Sequence, residues 1–416
     1  MIFFYWLIWI LPLVQHPLWG RRVGPFTIFE YIGIVCLVYG VLHILSVGRV
    51  RSLFSAMHVN LFFVLYFIAL VSALTNNAGI NLVGSAIIIY TSSFFLFIIT
   101  VSLVDTLDRL RWTALAFIGS YGFASLYVIR EWQVGRLIWA NFRPGWIVGD
   151  ANFFSTAAVI PVALAFYLAQ SKGPRFQKAY CWGCMLLTVI AIILGASRGG
   201  FLGLAVASIL VIWRMRHRVR NLALAAVLII PLSVVLPVSP LHRLLRTGSS
   251  GVGSEQFHLQ AWSAGLAMIE SHPFFGVGVG NFKPLMPQYA PPGTHVDTLA
   301  HNMFIEVAAE LGLPALLLFL GVFYFSYRTL GNLRKRQSAP LLVRQVATAM
   351  QPGLIGFAVA GSFVSAEYQK TTWFAFALMA SLVPLGRLRA SVVPDRLESP
   401  LQVEDRAEDV VGIPHA

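Results

Sequence analysis

The chain has 416 residues, of which 57% are hydrophobic and 11% charged, where a soluble domain carries roughly 25% charge. Its apolar residues come in long unbroken runs rather than in alternation, so a soluble enzyme and a transmembrane β-barrel are both excluded and an all-α polytopic membrane protein is expected. The formal net charge is +13, and the basic residues fall in short stretches between apolar runs, the positive-inside pattern rather than the basic patch of a nucleic-acid binder.

A spanning helix needs about 20 apolar residues. The candidate runs are 2–14, 26–47, 57–74, 83–104, 112–129, 152–169, 179–196, 201–213, 221–236, 302–327, 346–365 and 372–385. These make about twelve spans, with the first and eighth short. No basic region precedes the first run, and Gln15-His16-Pro17 follows it where a cleavage site would need small residues. It therefore reads as a retained membrane segment. Cys36, Cys181 and Cys184 lie within apolar runs and read as unpaired core thiols, because Cys181-Trp-Gly-Cys184 has no second pair and no nearby His to make a zinc site.

With twelve spans and the N-terminus inside, eighteen Lys and Arg fall in inside loops and ten outside. Both termini are therefore expected in the cytoplasm. The chain divides into 1–237 (about nine spans), a loop at 238–300, 301–391 (about three spans) and a polar tail at 392–416. The tail holds six acids and two bases and reads as disordered. The 238–300 loop is expected on the periplasmic side. Loops longer than about 15 residues are usually functional or disordered. This one carries a helical stretch at 256–271 and the aromatics Trp262, Phe274, Phe275 and Phe282, so it is expected to be ordered.

Ionisable groups at the outer membrane face are the informative set, because such groups are costly near hydrocarbon. Arg198 sits in Ala196-Ser197-Arg198-Gly199-Gly200, a turn too short to carry it far from the bilayer. The bland reading is a snorkelling Arg; the two glycines argue instead for close backbone approach. His301 opens a segment in which Asn302, Glu306 and Glu310, spaced i, i+4, i+8, would line one helical face at the outer surface. Gly312 and Pro314 should break that helix. His272-Pro273-Phe274-Phe275-Gly276-Val277-Gly278-Val279-Gly280-Asn281-Phe282 has the glycine spacing of a nucleotide loop, but no strand precedes it and no Gly-Lys-Ser/Thr follows, so a tight glycine turn is expected. Asp150 before Ala151-Asn152 reads as a helix cap. Glu367 and Lys370 bracket the last outside turn within reach of one another. Asp105 and Asp108 near Arg109 read as a solvated loop. No single outside segment clusters metal ligands, so neither metal nor other cofactor is expected.

Three of these stretches together resemble the O-antigen ligase and polymerase superfamily of bacterial envelope glycan assembly. They are Ala196-Ser197-Arg198-Gly199-Gly200, the His272–Phe282 glycine stretch, and Ala300-His301-Asn302 followed by Glu310-Leu311-Gly312. Asp150-Ala151-Asn152 is similar to the family's Asp-x-Asn. The resemblance covers about 150–320, less than half the chain. It implies a GT-C-like glycosyltransferase of the inner membrane, acting on the periplasmic face without a metal. The implied donor is an undecaprenyl pyrophosphate-linked glycan. In ligases the acceptor is lipid A–core, in polymerases another lipid-linked glycan, and in O-oligosaccharyltransferases a protein. The implied base is His301, with Asp150, Asn152, Asn302, Glu306 and Glu310 in support. Arg198 would hold the pyrophosphate. The chain departs from the family at position 258, where His258 stands four residues before Trp262 in place of the usual Arg. The second phosphate contact then falls to His258, or to Arg246 or Arg243.

The chemistry agrees with that resemblance. Negative charge grows on a pyrophosphate leaving group as the glycosidic bond breaks, and fixed Arg donors at a low-dielectric boundary stabilise it. The acceptor hydroxyl must lose a proton, and His titrates near the working pH. Partners are therefore the lipid-linked donor, the acceptor and membrane lipids, with no nucleic acid. The reading favoured is a lipopolysaccharide O-antigen ligase. A polymerase is the nearest alternative. A transporter or lipid flippase would instead place its charges mid-membrane.

Overall fold

A computed structural model describes residues 1–13, 16–24, 26–47, 54, 56–75, 80–138, 142–145, 148–171, 173–215, 252–292 and 298–388. The expected 221–236 span, Arg243, Arg246 and the 392–416 tail lie outside these residues. Among the described residues the chain forms fourteen α-helices: α1 (Ile2–Trp9), α2 (Ile28–Val47), α3 (Met57–Thr75), α4 (Ile80–Leu103), α5 (Leu107–Gly135), α6 (Ala151–Ala169), α7 (Arg175–Leu194), α8 (Arg198–Trp213), α9 (Val252–Ser271), α10 (Phe282–Tyr289), α11 (Met303–Leu311), α12 (Leu313–Lys335), α13 (Leu341–Gly361) and α14 (Lys370–Leu385). Short 3-10 turns occupy Leu11–Leu13 and Ala366–Tyr368. The antiparallel pair Arg22–Val23 and Phe26–Thr27 is the one sheet among these residues.

The chain is thus an all-helical multi-pass membrane protein, with seven helices long and apolar enough to cross a bilayer: α2 to α7 and α12. The expected runs at 201–213, 346–365 and 372–385 form α8, α13 and α14, which are not among these seven, and the first and tenth expected spans are corrected. The first run gives an eight-residue helix, about 12 Å long at 1.5 Å per residue, too short to cross; Pro12 in the following turn ends it, and it packs on α5. The 302–327 run divides at Gly312 (φ 86°) into α11 and α12. Only α12 is a span, because Gly312 adopts a backbone conformation that helices cannot continue.

The centre of the fold is the mutual packing of α6, α8 and α13. With lipid outside, apolar burial gives little drive to associate, and small residues allow the close approach that dispersion needs. At the α8–α13 crossing a Cβ built on Gly203 would lie 2.4 Å from the Gly356 carbonyl oxygen, and one built on Gly356 would lie 2.4 Å from that of Gly203. Valine at either position is expected to reduce folded protein in the membrane and lower its melting temperature. Gly33→Val, at a site with nothing within 4 Å, is the matched control, and equal yields for all three would contradict this packing. A second layer of α3, α4, α12 and α14 is filled by aromatics, with Phe62 and Trp373 ring centroids 4.4 Å apart and Phe62 and Phe97 4.5 Å apart.

The cysteines are free, Cys36 and Cys181 buried and Cys184 half-buried. Cys184 packs where a Cβ on Gly122 would sit 2.7 Å from its sulfur. The Asp105 region is not a solvated loop. Asp105 pairs with Arg109 at 2.7 Å and with His43 at 2.9 Å, tying α2 to the start of α5.

Candidate active site

The site is assembled at the end of the bundle where α6, α8 and α11 begin. The α7–α8 connection is one tight turn. Ala196 takes a left-handed conformation (φ 50°), and Ser197 caps α8 by accepting from the Gly200 N–H at 3.2 Å. The two glycines then meet neighbours that any side chain would strike. A Cβ on Gly199 would lie 2.7 Å from Cβ of Phe363, and one on Gly200 would lie 2.3 Å from Cβ of Ser155. The close approach expected of this turn is what fixes the direction of Arg198, the first residue of α8.

Arg198 lines a cavity of about 480 Å³. Arg143, Asn152 and His258 line it too, with Trp262 and Phe363 beside them, and Phe201, Leu202 and Ala205 of α8 continue it along an apolar wall. Arg143 was missed in the sequence. Its Nε donates to the Gly195 carbonyl at 2.6 Å and its Nη2 to Asn152 Oδ1 at 2.5 Å, so it braces the turn that carries Arg198. Burial, with the nearby Arg198 charge, lowers the Arg143 pKa, and Asp150 opposes that shift. Two guanidiniums held near one another in a partly desolvated cavity make a site for an anion.

His301 is placed by its own strained backbone (φ 49°) and by both backbone groups of the preceding residue. The Ala300 N–H donates to Glu306 Oε2 at 3.1 Å, and the Ala300 carbonyl accepts from Trp262 Nε1 at 3.0 Å. Its ring lies 5.2 Å from that of His258, edge to face. Nε2 is 3.2 Å from Thr298 Oγ1, and Nδ1 has no hydrogen-bond partner among the described residues. Burial lowers the pKa of His301, against a smaller opposing pull from Asp150. A neutral imidazole with one uncommitted nitrogen can accept a proton.

The supporting residues sort differently from the expectation that they line a surface. Asp150 caps α6, accepting from the Asn152 N–H at 2.6 Å and the Phe153 N–H at 3.2 Å, and its charge acts on both His301 and Arg143. Asn302 caps α11 through the Phe304 and Ile305 N–H groups. Glu306 and Glu310 are not at the outer surface but are buried, 0% and 2% exposed, because their face of α11 turns toward the protein. Ser365 donates to Glu306, and Tyr368 and the Phe282 N–H donate to Glu310. Glu367 joins them and does not pair with Lys370; both its carboxylate oxygens are buried without a hydrogen-bond partner among the described residues. Burial raises the pKa of all three carboxyls, and Glu310 adds to the rise at Glu306, as Glu306 does at Glu367. The hydrogen bonds of Glu306 and Glu310 hold Ala300, just before His301, and the end of the glycine turn in place. Among the described residues no three His, Cys, Asp or Glu side chains are grouped to hold a metal.

The 276–280 stretch is a glycine turn, with Gly276, Gly278 and Gly280 all at positive φ. The Val277 and Gly278 N–H groups donate to the Ala309 and Glu310 carbonyls and the Val279 N–H to Ser72. Those donors are therefore committed to α11 and α3 and unavailable to a phosphate. His272 is exposed at the start of this turn, away from the cavity.

Residues 183–320, about a third of the chain, match the family model described as O-Antigen ligase. The match takes in the Arg198 turn, α9, the glycine turn and His301, and over that stretch it bears out the resemblance read from the motifs. Arg143, Asp150 and Asn152 lie before it. No curated protein matches the chain.

Proposed function

We propose that the chain is a membrane glycosyltransferase of GT-C-like architecture, acting as a lipopolysaccharide O-antigen ligase. It would transfer a glycan from undecaprenyl pyrophosphate to lipid A–core at the periplasmic face of the bacterial inner membrane, with both termini in the cytoplasm. The observation that carries this reading is the composition of one cavity: two guanidiniums and His258 near one another, and the apolar side of α8 running away from them. That is the shape of a lipid-linked pyrophosphate. Arg198, Arg143 and His258 take the phosphates, and Phe201, Leu202 and Ala205 face the isoprenoid. His258 stands in for the usual loop-helix Arg.

In the reaction the acceptor hydroxyl attacks the anomeric carbon of the donor sugar while His301 accepts its proton. The bond from that carbon to the pyrophosphate oxygen breaks, and its electron pair leaves on the pyrophosphate. The arginines neutralise the growing charge, the role a divalent cation fills in other transferases. Transfer by purified protein is therefore expected to continue in excess chelator. Loss in chelator, restored by magnesium or manganese, would overturn this assignment and make Glu306 and Glu310 candidate ligands.

Gene deletion tests the ligase reading. Loss of capped lipopolysaccharide with accumulation of long lipid-linked polymer is the expected phenotype, and accumulation of single lipid-linked repeats would mean a polymerase. Cysteine labelling tests the side: position 250 should react in whole cells with the outer membrane permeabilised, and reaction only after the inner membrane is breached would contradict it.

A further inference from the structure

Two of the apolar helices, α8 and α14, have 16 residues each. At 1.5 Å per residue they are about 24 Å long, against a hydrocarbon core of about 30 Å. Each begins with a cation, Arg198 in one and Lys370 in the other. Both are shorter than that core, and the basic residue that opens each lines a cavity. Arg198 is absorbed by the site above. Lys370 is not.

Lys370 lines a separate cavity of about 220 Å³, together with Gln369, Thr371, Tyr121, Phe153 and Val148. Its ammonium sits 4.6 Å from the centroid of the Phe29 ring. Among the described residues no carboxylate is within ion-pair distance of it. Glu30, the carboxylate whose charge acts on it, is engaged by the Thr27 N–H at 2.7 Å and the Thr27 hydroxyl at 3.0 Å. A half-buried cation near hydrocarbon with no carboxylate in direct contact among the described residues is costly and marks a place for an anion. The segment that presents it is rigid. Thr372 Oγ1 donates to the Ala366 carbonyl at 2.7 Å, and Trp373 Nε1 donates to that of Glu367 at 2.8 Å.

The two cavities share a wall. Residues 148–154 contribute Asn152 to the first and Val148, Phe153 and Phe154 to the second. Asp150, whose charge acts on His301, stands in that same segment. A ligand in the second cavity would lie across residues 148–154 from the first, and neither arginine lines it. The cavity offers a cation, an amide, hydroxyls and an aromatic ring, the complement of a hydroxyl-bearing anionic sugar.

The geometry points to this cavity as the acceptor subsite, with Lys370 binding a phosphate on the acceptor's sugar and Gln369 and Thr371 its hydroxyls. This rests on the transfer reading above and adds where the second substrate sits. The lipid headgroup of a neighbouring anionic phospholipid has the same chemistry and must be told apart.

The test uses the full chain in phosphatidylcholine nanodiscs, with rough lipopolysaccharide as acceptor, either native or dephosphorylated with hydrofluoric acid. Lys370→Gln is expected to raise the KM for native acceptor about tenfold, the loss of one charge-assisted hydrogen bond, with the KM for donor and the kcat unchanged. Lys370→Arg should restore most of it, and dephosphorylated acceptor should behave alike with wild type and Lys370→Gln. Unchanged acceptor KM, or an equal rise in donor KM, would overturn the subsite. So would a wild-type acceptor KM that rises when phosphatidylglycerol is added, with that rise abolished in Lys370→Gln, since the cavity would then hold a phospholipid headgroup. Direct binding of native acceptor without donor separates the two readings. Lys370-dependent binding by a protein that transfers nothing would sink the transfer reading and leave the subsite standing.

Discussion

Replacing Arg198 with alanine is expected to lower glycan transfer by about 10²–10³-fold, the cost of removing one preorganised donor from a developing oxyanion. The amount of protein in the membrane should be unchanged. The α7–α8 turn is held by Ser197, Gly199, Gly200 and the Arg143–Gly195 contact, none of which uses the Arg198 side chain. Arg198→Lys should recover only part of the loss, because a lysine keeps the charge and loses the planar fork. Full activity in Arg198→Ala would return this residue to a snorkelling role. Transfer of radiolabelled lipid-linked glycan at matched protein levels is the measurement.

Replacing His301 with alanine is expected to lower the rate by about 10²–10⁴-fold, the usual contribution of a positioned general base, with lipid-linked donor still bound. His301→Gln should be nearly as poor, since Gln hydrogen-bonds but cannot take the proton. The pH profile gives a second readout. A base works in its neutral form, and burial lowers the pKa of His301 below the ordinary 6.5. Activity should therefore hold through neutral pH and fall only as pH drops through that lowered value. A profile with its acid limb above 6.5 would argue against His301. If His301→Ala keeps the wild-type rate and His258→Ala does not, the base lies on α9, 5.2 Å away ring to ring. If His272→Ala is tolerated as well as both of these, no histidine is the base.

Most of the membrane body was legible because long apolar runs have few alternatives. The bounds of α3 and α6 fall within one residue of those expected from hydropathy. The exceptions have identifiable causes. Hydropathy counted 2–14 as a span because it registers apolar character and not the turn after Trp9. The break between α11 and α12 was readable from Gly312 and Pro314, although the run is apolar on both sides of them. The turn at Ser197–Gly200 was readable because glycines beside an arginine in a short connection have few uses.

The burial of Glu306 and Glu310 was not readable. An i, i+4 spacing puts two side chains on one face of a helix, and nothing local says whether that face meets water or Ser365 and Tyr368, about 58 residues further on. Arg143 was missed for a related reason. It lies in irregular chain, and its importance comes from the Gly195 carbonyl 52 residues away. The neighbouring Asp150-Ala151-Asn152 was a signal, since Asn152 Oδ1 accepts from Arg143. Lys370 read as half of an ion pair because Glu367 is three residues away, yet the 3-10 turn at Ala366–Tyr368 sends one inward and the other to Phe29.

The central claim is that this chain itself transfers a glycan from a lipid pyrophosphate to lipid A–core through Arg198 and His301. Its most direct test is reconstitution of the purified protein in liposomes with undecaprenyl pyrophosphate-linked O-antigen and rough lipopolysaccharide, with excess chelator present. Capped lipopolysaccharide and free undecaprenyl pyrophosphate should appear together with wild-type protein, and neither should appear with Arg198→Ala or His301→Ala. Longer lipid-linked polymer with no capped lipopolysaccharide, or capping that survives both substitutions, would contradict it.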